Sequence, residues 1–369
     1  MNKKNVLGPA VLFLSLLAVF AALPGLRAGT SPSAPPWSPV QPAAQAASVE
    51  FPVHPLPNLP EAAEWYFSRS GKFLVGNAKG PDDTAYHVYV ASSDGSVIRR
   101  INDKGEDACS YFFPNGKRVL WTSTRDWPDL PKGVWHDAND YPRGAEIYSS
   151  DTYGGKIKRL TTNKVYDAEC VVAPNGKWIL FGRQIDGKMD LWTMNVDGSN
   201  QKQITFTDDW QEGGAQIFED SETIITRAWK RADQGKGRGM MPMQIFMLRR
   251  DGSGRKQITN DEGTHWAPYP APDMRHFVYV RVLTEPGGRP NWEIYLHDLA
   301  TGEERRLTFD PGFDGFPSIS ADGKWMTFSS GRGGNGGERT LYQWLMDISS
   351  LGLGPRKKLS SPDSKLIIR

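Results

Sequence analysis

Residues 166 to 181 read YDAECVVAPNGKWILF. Two runs rich in Val, Ile, Trp and Phe are split there by Ala-Pro-Asn-Gly-Lys. Asn-Gly favours the tight turn between antiparallel strands, because glycine accepts a positive φ at little cost. The stretch therefore predicts strand, turn, strand. It also raises a functional question, since Asp167, Glu169 and Cys170 sit close together in it. They form either a local site or one copy of a repeated unit.

The remaining sequence decides for a repeat. The turn APNGKW at 173 to 178 returns as FPNGKR at 113 to 118 and SADGKW at 320 to 325. Weaker copies are SRSGKF at 68, FEDSET at 218 and APDMRH at 271. The place of Pro174 is taken in turn by Arg69, Pro114, Pro174, Glu219, Pro272 and Ala321. Two more landmarks keep step. One is an aromatic strand start, as in HVYV at 87, EIYS at 146, DLWT at 190, QIFM at 244, EIYL at 293 and TLYQ at 340. The other is a Leu or Ile, usually followed by Thr, at Ile101, Leu160, Ile204, Ile258, Leu307 and Leu359. Each unit reads as strand A, an Asn/Asp-Gly turn, strand B, a variable loop, strand C, an Asp-Gly turn and strand D. Four antiparallel strands in about 45 to 50 residues make a propeller blade. Six units predict an all-β, six-bladed β-propeller over residues 58–362, which leaves no second domain.

The order Pro-Asn/Asp-Gly-Lys, strand, Arg, Ile-Tyr, Asp-Gly-Ser, Leu/Ile-Thr resembles the repeat of TolB-type β-propellers. The resemblance spans most of the chain after the N-terminal segment and implies a propeller fold. It does not imply one function, because propellers with this repeat do unrelated work. TolB proteins carry an additional N-terminal α/β domain, for which residues 29–57 leave no room. Closure of the ring has two readings. PRKKLS at 355 to 360 supplies a D-like strand for blade six, or VEFPVH at 49 to 54 lies on that blade as a latch. Pro52 suits an outer edge strand.

Residues 1–28 read as a signal peptide or an uncleaved anchor. MNKK is the basic start, a long apolar run follows, and Leu26-Arg27-Ala28 offers a cleavage point. Either way the remainder is expected to be periplasmic or secreted, with membrane contact only through an uncleaved segment. Residues 29–57, rich in Pro, Ala and Ser, predict a flexible arm that serves as spacer or docking peptide. Residues 363–369 read as a tail. The 44 basic and 42 acidic residues give no electrostatic reason to expect nucleic acid. Cys109 and Cys170 stand at different distances from their turns, which points them to opposite faces and predicts free thiols rather than a bridge.

The A–B and C–D turns share one face of such a propeller, and the B–C loops project from the other. The longest loops are 126–144 in blade two and 230–243 in blade four, on the face where recognition is usually placed. Seven residues before each turn anchor stand Ala62, Asp107, Asp167, Glu212, His265 and Asp314. Asp and Glu number 42 and His 6 among 369 residues, so five of six at one column is a signal. Glu64, Cys109 and Glu169 follow two residues on. A second column, Arg125, Arg183, Arg227, Arg281 and Arg332, ends strand B. Acid–arginine pairs would serve as structural glue of the repeat. Alternatively, Asp107, Asp167, Glu212, His265, Asp314, Glu64 and Glu169 bind a ligand at the channel mouth, either a cation through oxygen ligands or a basic peptide end.

No cofactor is expected otherwise, because Gly-x-Ser-x-Gly, His-Glu-x-x-His and paired Cys-x-x-Cys are all missing from the sequence. GRGGNGG at 331 to 337 opens no helix and so makes no phosphate cradle. WHDANDY at 135 to 141 reads as solvated surface. The expected function is a non-enzymatic module for an envelope protein or peptide. The alternatives are a lyase or hydrolase using His265 as base with Glu169 or Glu212 as acid, and a subunit of a larger exported assembly.

Overall fold

A computed structural model describes residues 51–56, 58–234, 241–284, 289–332 and 340–356. The expected signal peptide or anchor (1–28), most of the expected arm, the expected tail, and parts of the blade-four, blade-five and blade-six loops lie outside the described residues. Six four-stranded antiparallel sheets follow one another along the chain. Their innermost strands are Glu61–Phe67, Asp107–Phe112, Tyr166–Val172, Trp210–Ile217, His265–Pro270 and Asp314–Ile319. The all-β, six-bladed propeller is thus the fold, and among the described residues two short 3-10 turns are the only helical elements.

Adjacent blades stack through apolar side chains, as expected of sheets buried on both faces. Phe113, Leu120 and Ile147 of blade two meet Cys170, Val172, Ile179 and Phe181 of blade three. Phe218, Ile225 and Ile245 of blade four meet Phe277 and Tyr279 of blade five. The Leu/Ile-Thr landmark has a defined task. Hydroxyls of Thr161, Thr205, Thr259 and Thr308 accept the strand C amides of Ile147, Leu191, Ile245 and Ile294, each at 2.9 Å. Without them these buried amides would cost free energy where the ladder ends. Blade one has Asn102 in that place, and Asp107 Oδ2 takes the amide of Val88 at 2.9 Å instead.

The N-terminal reading of ring closure is the one observed. Val53–Pro55 pairs with Tyr342–Asp347 as the outer strand of blade six. The last strand of the ring therefore comes from within the span expected as flexible arm. Residues 349–351 form a 3-10 turn ending at Gly352, whose φ is 65°, and Leu353 is buried against the core of blades five and six. PRKKLS from 357 onward lies outside the described residues.

Each inner strand carries a β-bulge, at one register in blades two to six, for example between Ala108 and Tyr111 and between Trp266 and Tyr269, and earlier in blade one, between Ala62 and Glu64. Its central residue is left-handed in five blades: Cys109, Glu169, Gly214, Ala267 and Phe316 have φ between 48° and 56°. One extra residue per strand bends it and re-aims its side chains. No helix among the described residues is long and apolar enough to cross a membrane.

Candidate functional site

Counting back from the turn anchors, the inner strands build four layers along the propeller axis. The first layer, on the loop-bearing face, holds the expected column. Ala62, Asp107, Asp167, Glu212, His265 and Asp314 are all buried, and each polar member has its own partners. Arg183 donates Nε and Nη2 to Asp167 at 2.6 and 2.7 Å, and Arg332 reaches Asp314 at 2.6 Å. Arg255 and Thr207 reach Glu212 Oε1, both at 3.0 Å. Asp107 accepts from Asn102 at 2.7 Å, and Asn102 in turn accepts from Arg125 at 2.9 Å. Burial raises the pKa of Glu212 to about 7 against the pull of Arg255, and raises that of Asp314 against Arg332. In chemical terms this layer is a set of internal braces.

His265 belongs to a different place. It lines a cleft of about 390 Å3 between blades four and five, together with Asp261, His297, Glu304 and Lys256. Burial lowers its pKa, so the neutral ring is favoured. Its Nδ1 lies 3.2 Å from the Met243 carbonyl and its Nε2 3.4 Å from Asp261. In the same cleft Glu304 accepts from Tyr279 at 2.6 Å and Arg281 at 3.1 Å. Burial of Glu304 is outweighed by its His297 and Tyr279 hydrogen bonds, and its pKa falls to about 2. The structure does not bring His265 together with Glu169 or Glu212.

The second layer is the bulge layer, and here Glu64 and Glu169 do converge on the axis. Glu64 accepts from Tyr66 at 2.7 Å, Asn77 at 3.0 Å and the Cys109 amide at 2.8 Å. Glu169 accepts from the Gly214 amide at 2.6 Å and from Arg227 at 2.7 Å. Each carboxylate thus takes up a backbone N–H that the next bulge releases. Burial raises the Glu64 pKa despite these donors. Burial, with Glu64 and Glu169 adding to it, pushes the Cys109 thiol well above its ordinary value, which leaves it a poor nucleophile. Cys109 and Cys170 are both free thiols. Among the described residues no three His, Cys, Asp or Glu side chains are grouped to hold a metal ion.

The third layer closes the channel. Tyr66 stacks on Tyr111 with ring centroids 4.1 Å apart and on Tyr269 at 6.2 Å. Gln216 of blade four donates to the Tyr111 hydroxyl of blade two. The fourth layer is the mouth on the turn face. Arg69 of blade one and Glu219 of blade four, diametrically opposite in a six-bladed ring, pair there through two hydrogen bonds of 3.2 and 2.8 Å. These are the two charged exceptions at the anchor column, and sequence reasoning passed over them as weak copies of the turn. Their opposite signs, three blades apart, were the available signal.

The blade-two loop was expected to project from the scaffold as a recognition element. It packs down instead. Tyr141 stacks on Tyr166 at 4.2 Å. Gln184 donates to the Ala138 carbonyl at 2.8 Å, and Gln234 to Asn139 at 2.9 Å. His136, Asp137 and Asp140 are exposed, as read from the sequence.

No family model matches the chain. An uncharacterized protein of Agrobacterium fabrum (strain C58) is 25% identical over 261 residues, covering 61% of this chain and 85% of that one. A TolB homologue of Chlorobium luteolum is 24% identical over 165 residues, 43% of this chain. This chain spans 33% of the length of that homologue. Among solved structures, TolB from Acinetobacter baumannii superposes with a TM-score of 0.56 at 18% identity, over 76% of this chain and 64% of that one. A protein assigned as TolB from Agrobacterium tumefaciens gives 0.55 at 18% identity, over 80% and 96%. An oligogalacturonate lyase from Vibrio parahaemolyticus gives 0.50 at 11% identity, over 81% and 94%. At these identities the structural likeness is one of fold.

Proposed function

We propose that this chain, a TolB-like six-bladed β-propeller, is a non-enzymatic binding module of the cell envelope. It docks a partner protein or peptide on its loop-bearing face. The observation that carries the reading is a pair of exposed apolar side chains among charged residues of both signs, Lys230 and Arg231 included, beside blades three and four. Phe206 is 69% exposed and Ile185 44% exposed. Asp186, Asp208 and Asp209 are exposed beside them, and Lys188 Nζ, 3.9 Å from Asp208, ties the two loops together. Such a patch fits a segment with an apolar anchor flanked by charged residues, where the charges, Asp208 and Asp209 among them, orient the encounter and the anchor holds it. The buried column braces the rim that presents the patch. An envelope location is supported by the basic and then apolar start of the sequence.

A photoreactive residue placed at position 206 and, separately, at position 97 tests this in the native envelope. Val97 is 50% exposed and belongs to the opposite face. Adducts of one defined mass from position 206, weakened when Asp208 and Asp209 both become Asn, are expected. Adducts from position 97 alone, or none from 206, would overturn the reading.

A further inference from the structure

We propose that the turn-side mouth of the axis binds a free apolar α-amino acid, with its carboxylate on Arg69 and its ammonium on Glu219. A cavity of about 120 Å3 lies under this pair, comparable with the ~150 Å3 cavities that admit a benzene-sized molecule. Its walls come from all six blades and mix polar groups with apolar side chains, the latter including Phe67, Phe113, Val171, Ile217 and Ile319. At its floor Gln216 donates to the Tyr111 hydroxyl. An apolar side chain entering the space meets Phe67, Phe113, Val171, Ile217 and Ile319, and the charged groups stand at the rim.

The rim offers one cation and one anion. Their side chains are 49% and 32% exposed, and an ion pair this open to water is cheap to separate. Arg69 is a bidentate donor matched to a carboxylate, and Glu219 accepts an ammonium. Pro114, Pro174, Pro272 and Ala321 complete the collar without adding charge. A zwitterionic head replaces the internal pair with two equivalent pairs, while its side chain enters the cavity. A peptide end brings only one of the two charges and leaves the other partner unmatched. The geometry thus favours the free amino acid over a peptide terminus. This site lies on the face opposite the docking patch and does not depend on it.

Titration calorimetry of the full chain with leucine, phenylalanine, N-acetyl-leucine and leucinamide tests the proposal. Saturable binding of leucine or phenylalanine is expected, with both capped forms at least tenfold weaker. Arg69→Ala and Glu219→Ala should each weaken binding at least tenfold while the circular dichroism spectrum stays that of the parent. The double exchange Arg69→Glu with Glu219→Arg should recover binding, because the head group can turn around. The idea fails if neither amino acid binds saturably, if the capped forms bind as well as the free ones, or if the single variants bind like the parent. The comparison of free and capped ligands needs no variant, so it stands even if a substitution harms folding.

Discussion

At the scale of single residues, the parity of an arginine decides which carboxylate it serves. Arg183 and Arg332 stand at even separations from Asp167 and Asp314, share a sheet face with them, and pair with them. Arg227 stands at an odd separation from Glu212, lies opposite Gly213 in the ladder, and turns to Glu169 of the preceding blade. A one-residue offset moves a side chain to the other face. Glu212 is left with Arg255 and Thr207, and its Oε2 meets no hydrogen-bond partner. Burial therefore dominates and lifts its pKa from 4.5 to about 7. Between those values the folded chain keeps a proton that the unfolded chain releases. Folding stability from this group accordingly declines as pH rises from 4.5 to 7 and levels off above. The size is about 3 kcal/mol. Urea unfolding of the parent and of Glu212→Gln at fixed pH values should show the variant gaining on the parent by about that amount across the window. A difference that stays flat with pH would show that Glu212 is ionised throughout. The column itself was legible in the sequence. The pairings were not, because the spacing of the arginines from the turn varies by a few residues and each single-residue change reverses the face.

At the scale of the strand, the bulge is the device that the repeat hides. The aligned columns gave strand starts and turns, but an unpaired residue inside a strand leaves no turn signal to read. Its trace is the mixed row Cys109, Glu169, Gly214, Ala267, Phe316, which shares a backbone shape and not a chemistry. Gly214 is where that shape is most constrained. Its φ is 56° and an added Cβ would collide with Arg227 Nη1. Arg227 cannot yield cheaply, since it is buried and tied to Glu169. Burial alone would lower the Arg227 pKa, and Glu169 raises it instead, so the pair holds its charge. Gly214→Ala should therefore cost about 3 kcal/mol, from left-handed strain and from separating a buried pair. Ala267→Gly, at the same register, is the contrast: relief of strain roughly offsets the extra chain entropy, for a change within about 1 kcal/mol. Equal losses in both variants by chemical denaturation would mean that the bulge backbone, and not the Arg227 pair, carries the cost.

At the scale of the whole ring, closure depends on a short strand from the chain's own N-terminal side. The blade count was legible because turns, aromatic strand starts and Leu/Ile-Thr landmarks agree at every copy. Closure was not, since both ends of the chain offered a short segment and edge strands carry little pattern of their own. Pairing of Val53–Pro55 with Tyr342–Asp347 decides it physically, because it takes the outer edge of blade six that a C-terminal strand would need. What the latch contributes can be weighed. Three residues join the sheet, Leu56 donates to Gln343 at 2.9 Å and Asp347 to Pro52 at 3.3 Å, and Phe51 and Val53 cover the apolar cluster of blades five and six. Arg305 of blade five lies 4.9 Å over the Phe51 ring, so the segment spans two blades. A chain beginning at Asn58 loses all of this, and its destabilisation should be about 2 to 4 kcal/mol, from the apolar area and ladder bonds removed. Phe51→Ala alone should lose a fraction of that amount. Urea denaturation reads both the size and the manner of the loss. A lower midpoint at unchanged slope means that six blades still unfold together, and a shallower slope means that blade six has come away as a separate unit. An unchanged midpoint would show that stacking of blade six against blade one, through bonds such as Ser329 to the Ala63 carbonyl at 2.8 Å, suffices to close the ring without the latch.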